Sequence, residues 1–346
     1  MMNMKQFNYI KTRKLTVFSI VFLILFLWFG FGYDTGNYVI LPGEVVGFRE
    51  FIEMEGHSAL DEEIYILTYY QYKASPFFYI YSKVNPKVDL LPKESVVGHD
   101  MNVRDFYDVN NRILIDSQMK AKYVSFSFAG YAPEIKSEGV FVLDGLDSYS
   151  AYEILKQGDI ISSIDGEEVF TNEDLREIIR EKEIGSKVTM EVLRRNTSNY
   201  NARLEPITLE VPIGGTNTPQ LGIWTINYNM EISTDINVKI KDSKLRGPSG
   251  GMMTTLGIYN NLVDEDLTKG YKIAGTGQIN LDGTVGGIYG MKQKVYAAER
   301  EGVQILFCPE QNYEEAIAAA TKVNIVPVSN FSEVVEYLNS LNKSDF

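Results

Sequence analysis

Gly247-Pro248-Ser249-Gly250-Gly251, taken with Gly290-Met291-Lys292-Gln293-Lys294 further along, decides how the C-terminal half of this chain is read. A serine hydroxyl attacks poorly until a base takes its proton, and lysine can be that base only if its pKa falls from about 10.4 toward neutrality. Lys292 follows Gly290 at the expected start of a helix, where the positive end of the macrodipole disfavours an extra proton. Lys294, two positions on, is expected to face elsewhere and stay solvated. Gly247, Gly250 and Gly251 permit a tight turn and a close approach by a substrate chain, and a helix from Gly250 would aim free amides at a developing oxyanion. Ser249 and Lys292 are therefore the candidate nucleophile and base. The competing reading makes Ser249 a helix cap after a Gly-Pro turn and Lys292 a surface residue. Such a pair needs no histidine, and the only two in the chain, His57 and His99, lie far upstream.

Outward from this pair, strands are expected at residues 230–232, 238–240, 271–274, 303–307 and 324–328. Helices are expected at 250–261, 291–301, 313–321 and 331–341. Strands alternating with helices make an α/β domain. Residues 139–212 have a different order of strand, turn, strand, helix and strand. There Thr171-Asn172-Glu173-Asp174 reads as a capping box, and Leu175, Ile178 and Ile179 give the helix one apolar face. Residues 64–72, dense in β-branched and aromatic side chains, read as a strand. Pro76, Pro86 and Pro92 break up an irregular stretch, and residues 116–123 read as helical.

Two resemblances rest on these residues. Leu-x-x-Gly-Asp-x-Ile-x-x-Ile-x-Gly at residues 155–166 resembles bacterial PDZ domains, which accept an extended peptide by β-augmentation. The resemblance implies a peptide groove between a strand at Gly139, Val140, Phe141 and Val142 and the helix carrying Leu175, Ile178 and Ile179. Pro133-Glu134-Ile135-Lys136-Ser137-Glu138, ahead of it, places two acids where that family captures a carboxylate. Gly-Pro-Ser-Gly-Gly-Met-Met, then Ile273-Ala274-Gly275-Thr276-Gly277, then Asp282-Gly283-x-Val285-Gly286-x-Ile288-x-Gly290-x-Lys292-x-Lys294 resemble the proteolytic domain of Lon-type serine proteases. That resemblance implies Ser249 as nucleophile, Lys292 as base, and Thr276 as the threonine bonded to the lysine. Arg246 stands where ATP-dependent members usually have an aspartate, and Gly250 replaces a usual alanine.

Net charge is −13, which argues against a nucleic-acid partner. Residues 15–32 are apolar and uncharged, long enough for a membrane-spanning helix. Lys5, Lys11, Arg13 and Lys14 precede them and Asp34 follows, so the N-terminus is expected in the cytoplasm and the remainder outside. A cleaved signal peptide would want a shorter apolar core and an Ala-x-Ala-like site. Cys308 is the sole cysteine and sits in an apolar run, a core residue rather than a nucleophile. Asp34-Thr35-Gly36 matches a short aspartic-protease motif, but two such carboxylates must meet, and this one abuts the membrane segment without a flanking apolar strand pair. No zinc-ligand pattern occurs, so no metal and no cofactor are expected. The sequence has no Gly-x-x-x-x-Gly-Lys-Ser/Thr loop, so ATP is not an expected partner.

The expected architecture is an α/β (α+β) Lon-type proteolytic domain plus a small mainly-β PDZ-like domain, preceded by one transmembrane helix. Residues 1–14 form a cytoplasmic tail, 15–33 the membrane helix, 34–130 an extracytoplasmic segment, 131–212 the PDZ-like domain and 213–346 the proteolytic domain. Residues 34–130 are suggested to complete the protease fold, with the PDZ-like unit inserted. The expectation is a membrane-anchored, ATP-independent serine endopeptidase that cleaves extracytoplasmic unfolded polypeptides. Its partners would be polypeptide substrates, the lipid bilayer and, compatibly, further copies of itself. The alternative is a catalytically inactive, membrane-tethered peptide-binding adaptor.

Overall fold

The computed structural model describes residues 4–56, 63–97, 103–195, 203–241 and 245–342; the two histidines lie outside them. Helix α1 (Met4–Gly32) is followed by strands β1 (Asn37–Gly47), β2 (Ile64–Lys73) and β3 (Asp89–Pro92) and by the long helix α2 (Val103–Phe128). Strands β4 (Val140–Gly145) and β5 (Ile160–Ile164), helix α3 (Asn172–Arg180), and strands β6 (Lys187–Arg195), β7 (Leu204–Pro212) and β8 (Ile223–Asn227) come next. Helix α4 (Gly251–Leu262), strand β9 (Ile273–Gly275), helix α5 (Met291–Arg300) and strands β10 (Ile305–Pro309) and β11 (Asn324–Val328) complete the frame.

Two sheets organise these strands. The first runs β11-β10-β9-β2-β1-β3. Its centre is a parallel pairing between distant segments, with Ile273 opposite Ile64, Ala274 opposite Tyr65 and Gly275 opposite Ile66. A parallel strand between two others is covered on both faces and so is almost wholly apolar. Accordingly Ile64, Ile66, Ile273 and Ala274 are all buried. The sheet therefore takes half its strands from before residue 130 and half from after residue 270.

The second sheet runs β7-β6-β5-β4-β8 and lies between those halves in sequence. Helix α3 closes over it, started by the expected capping box. Asp174 N–H donates to Thr171 Oγ1 at 3.2 Å, and Thr171 N–H donates to the Asp174 carboxylate at 2.8 Å. Leu175, Ile178 and Ile179 are buried in this unit's core with Val140, Val142 and Leu221.

Three sequence readings need correction. Pro76 does not break up an irregular stretch but opens the helix Pro76–Val84, where proline's missing N–H costs nothing and Ser75 caps the end. Residues 204–212 and 223–227, given no element in the sequence, are strands. The third concerns the groove. Strand β4 pairs with β5 on one side and with β8 on the other, Phe141 standing opposite Ile226 and Asn227 opposite Val140. Gly139 to Val142 therefore offer no free edge for a peptide. The sheet ends in β7 on one side and β8 on the other, and the edge that lies beside α3 is that of β8.

Candidate active site

Helix α4 begins just after Ser249 and sets that residue beside Thr276 and Gly277, at the C-terminal end of the central strand β9. Gly247 takes a left-handed φ of 73°, which a side chain would resist. Gly251 has no room for one: a Cβ there would stand 2.6 Å from Ser117 Oγ and 2.9 Å from the Ile279 side chain. The backbone around the nucleophile is held from two sides. The Pro248 carbonyl accepts from Ser117 Oγ at 3.1 Å and from Gly251 N–H at 3.0 Å. The Ser249 carbonyl accepts from Gly277 N–H at 2.8 Å and from Thr276 Oγ1 at 3.0 Å.

The lysine that meets Ser249 is Lys294. Its Nζ lies 2.8 Å from Ser249 Oγ and 2.6 Å from Thr276 Oγ1, and the residue is 1% exposed. Burial lowers its ammonium from the usual lysine value to about 7, because removal from water penalises the charged form. Tyr69 lies against the same nitrogen, 5.7 Å from ring centroid to Nζ.

Lys292, expected as the base, is not brought to Ser249. Its Nζ pairs with Asp89 Oδ1 at 2.5 Å, and Gln293 binds the other oxygen of that carboxylate at 2.7 Å, tying α5 to β3. The reason is helical geometry. In α5 the buried Met291, Val295 and Ala298 define the inner face, and residue 294 falls on that face whereas 292 falls off it. The periodicity was available in the sequence. Burial on the inner face, rather than nearness to the helix end, decides which amine reaches Ser249. Thr276 sits on the lysine as the resemblance implies, with Lys294 in place of Lys292.

A cavity of about 440 Å³ opens over Ser249 and Lys294, with Tyr69, Ile66 and Gly247 in its wall. A second, of about 1120 Å³, runs between β8 and α3, lined by Ile223 and Thr225 on one side and Leu175 and Ile179 on the other. Asn110, Ser117, Pro248 and Gln278 line both. The outer edge of β8 is partly satisfied: the Thr225 carbonyl accepts from Asn172 Nδ2 at 3.2 Å, and Asn227 N–H donates to Asp116. Asn172 Oδ1, buried in the same wall, has no hydrogen-bond partner among the described residues. Cys308 is fully buried, its thiol pushed up to about 12 by burial and by Glu310. Among the described residues no group of acidic, cysteine or histidine side chains could hold a metal.

Residues 220–340 match the family described as Lon protease (S16) C-terminal proteolytic domain, and residues 127–205 match the PDZ domain. The chain thus carries a Lon-type proteolytic domain and a PDZ domain. The Lon protease of Endomicrobium trichonymphae is 33% identical over 116 residues, 32% of this chain and 14% of that protein. The Lon protease of Mycoplasma pneumoniae is 34% identical over 122 residues, 35% and 15% respectively. The chain therefore spans about one seventh of the length of these relatives. The PDZ domain of an SdrC-like protein from Listeria monocytogenes matches 27% of this chain and 92% of its own, at 24% identity and a TM-score of 0.22.

Proposed function

We propose that the chain is a membrane-anchored endopeptidase that cuts extended polypeptides outside the cytoplasm, through Ser249 and Lys294 and without ATP. The observation that carries this is the 2.8 Å contact between a buried amine of pKa about 7 and the Ser249 hydroxyl. Near neutral pH a large share of the amine is unprotonated. It donates one hydrogen to Thr276 Oγ1 and offers its lone pair to the Ser249 proton. As Oγ bonds to the substrate carbonyl carbon, that proton passes to Lys294. The C–N bond then breaks, and the proton leaves on the departing amine. Water repeats the cycle on the acyl-enzyme, with Lys294 again the base.

Anchoring is supported by the span Arg13–Gly32, with a mean hydropathy of 2.4. The helix Pro76–Val84 adds to it. Phe77 packs on Phe26 and Phe31 of α1, while Tyr79, Ile80, Tyr81 and Val84 are exposed beside it, as at a bilayer interface. The lysines and arginine before the span favour an outward-facing protease. The open edge of β8 beside α3 is the place where an extended chain would add as a strand.

The test is hydrolysis of an unstructured polypeptide such as casein, without nucleotide, by the wild type, Ser249→Ala and Lys294→Ala. Cleavage by the wild type alone supports the reading; equal inactivity of all three would leave the tethered adaptor. For the topology, a protease added to intact cells should digest the catalytic part, and complete protection would contradict the outward orientation.

A further inference from the structure

Two adjacent residues of helix α2 face two different parts of the molecule. Asp116 is 5% exposed and reaches the groove strand: its Oδ1 accepts the Asn227 N–H at 3.2 Å and the Asn227 side-chain amide at 3.0 Å. Its Oδ2 pairs with Lys120 at 2.7 Å, one turn along the helix. Ser117, equally buried, reaches the nucleophile loop by donating to the Pro248 carbonyl. Consecutive helical residues project about 100° apart, so one step of a rigid helix serves both sides.

The Pro248 carbonyl and the Ser249 N–H belong to one peptide plane. No peptide bond among the described residues is cis, and in a trans peptide these two groups point in opposite directions. Fixing the oxygen with Ser117 therefore fixes the heading of the Ser249 N–H. That N–H has no acceptor in the protein among the described residues. An amide so held, on the nucleophile itself, can receive a developing oxyanion without reorganising.

We infer that Asp116 and Ser117 are positioning residues that tie the groove strand β8 to the peptide plane of the nucleophile, so that the seat of β8 sets the alignment of Ser249. The inference rests on the proposed catalytic roles of Ser249 and Lys294. It reaches past them, because it makes the PDZ sheet part of the support of the active site. A strand added to β8 would pull on Asn227, and Asn227 on Asp116. The helix would carry the shift to Pro248 through the neighbouring serine.

A double-mutant cycle on the full-length protein tests this, with kcat and KM measured on casein alongside thermal melting. Ser117→Ala, a smaller side chain beside Gly251, should lower kcat about tenfold with KM within about twofold, as loss of a transition-state alignment does. Asn227→Ala should do likewise, and in that background Ser117→Ala should cost less than about threefold. Unchanged kcat in Ser117→Ala, or full tenfold additivity in the double variant, would overturn the link while leaving the protease reading intact. A wild type no more active than Ser249→Ala would overturn both. Losses that track the melting temperature, with KM rising in step, would show packing rather than positioning and would likewise overturn it.

Discussion

Lys294 Nζ and Ser249 Oγ stand 2.8 Å apart across the junction of α5 and the loop before α4, with Thr276 Oγ1 bonded to the lysine on one side and to the Ser249 carbonyl on the other. In the proposed mechanism the base is a buried amine that loses its proton. Lys294→Ala should lower kcat by at least about a thousandfold, and Lys294→Arg should do the same because a guanidinium stays protonated. Lys292→Met should keep kcat within about threefold, since it breaks only a partly exposed ion pair with Asp89. Steady-state kinetics on one polypeptide substrate check all three. An inactive Lys292→Met with an active Lys294→Ala would reverse the assignment.

The pH dependence follows from the same burial. The free enzyme needs Lys294 neutral, so kcat/KM should rise with pH through an apparent pKa near 7, the value to which desolvation brings the amine. A profile whose acid limb lies near the ordinary lysine value would show that the amine is not desolvated in solution.

Much of this was legible in the chain. The Gly-Pro-Ser-Gly-Gly turn, the threonine of Ile-Ala-Gly-Thr-Gly and the alternating C-terminal elements are local signals, and local signals survive in sequence. What was lost depended on distant pairing. That β8 rather than β4 carries the open edge follows only from the register of Ile223–Asn227 on Val140–Gly145, and a short run with an exposed tryptophan does not announce a strand. The choice between Lys292 and Lys294 was a third case. The Met291, Val295 and Ala298 face distinguishes them, because position 294 falls on it and 292 does not, whereas nearness to the helix end is shared by both lysines.

Burial of Lys294 also has a cost in stability. Its folded-state pKa lies below its unfolded value, so below pH 7 both states hold the proton and the full penalty stands. Between pH 7 and about 10.5 the unfolded chain binds a proton that the folded one does not, and stability rises with pH in that window. Lys294→Met should therefore stabilise the fold by roughly 3 kcal/mol at pH 6, after allowing for the hydrogen bonds lost at Ser249 and Thr276. The gain should shrink toward pH 10. Denaturant melts at the two pH values measure it, and a pH-independent gain would contradict a buried, titrating amine.

Cys308 should be inert to thiol reagents in the native state. It is wholly buried in β10 with its thiol pushed up to about 12, and it lies outside both cavity linings. Iodoacetamide should leave activity unchanged and label the protein only in denaturant. Rapid native labelling with loss of activity would place the thiol near the chemistry.

The position of the open edge can be tested by locking the closed one. Trp224 and Asp144 stand opposite each other across β8 and β4, and Trp224 is exposed. Cross-strand partners lie about 4.5–5.5 Å apart between Cα atoms, within the span a disulfide bridges. Trp224→Cys with Asp144→Cys, oxidised, should hold β8 on β4 while leaving its other edge facing α3. Binding of unstructured polypeptide to the Ser249→Ala form should then stay within about threefold of the unlocked protein, because a strand added to β8 uses the edge away from β4. If the peptide instead pairs with residues 139–142, β8 must leave first, and the lock should abolish binding until a reductant restores it.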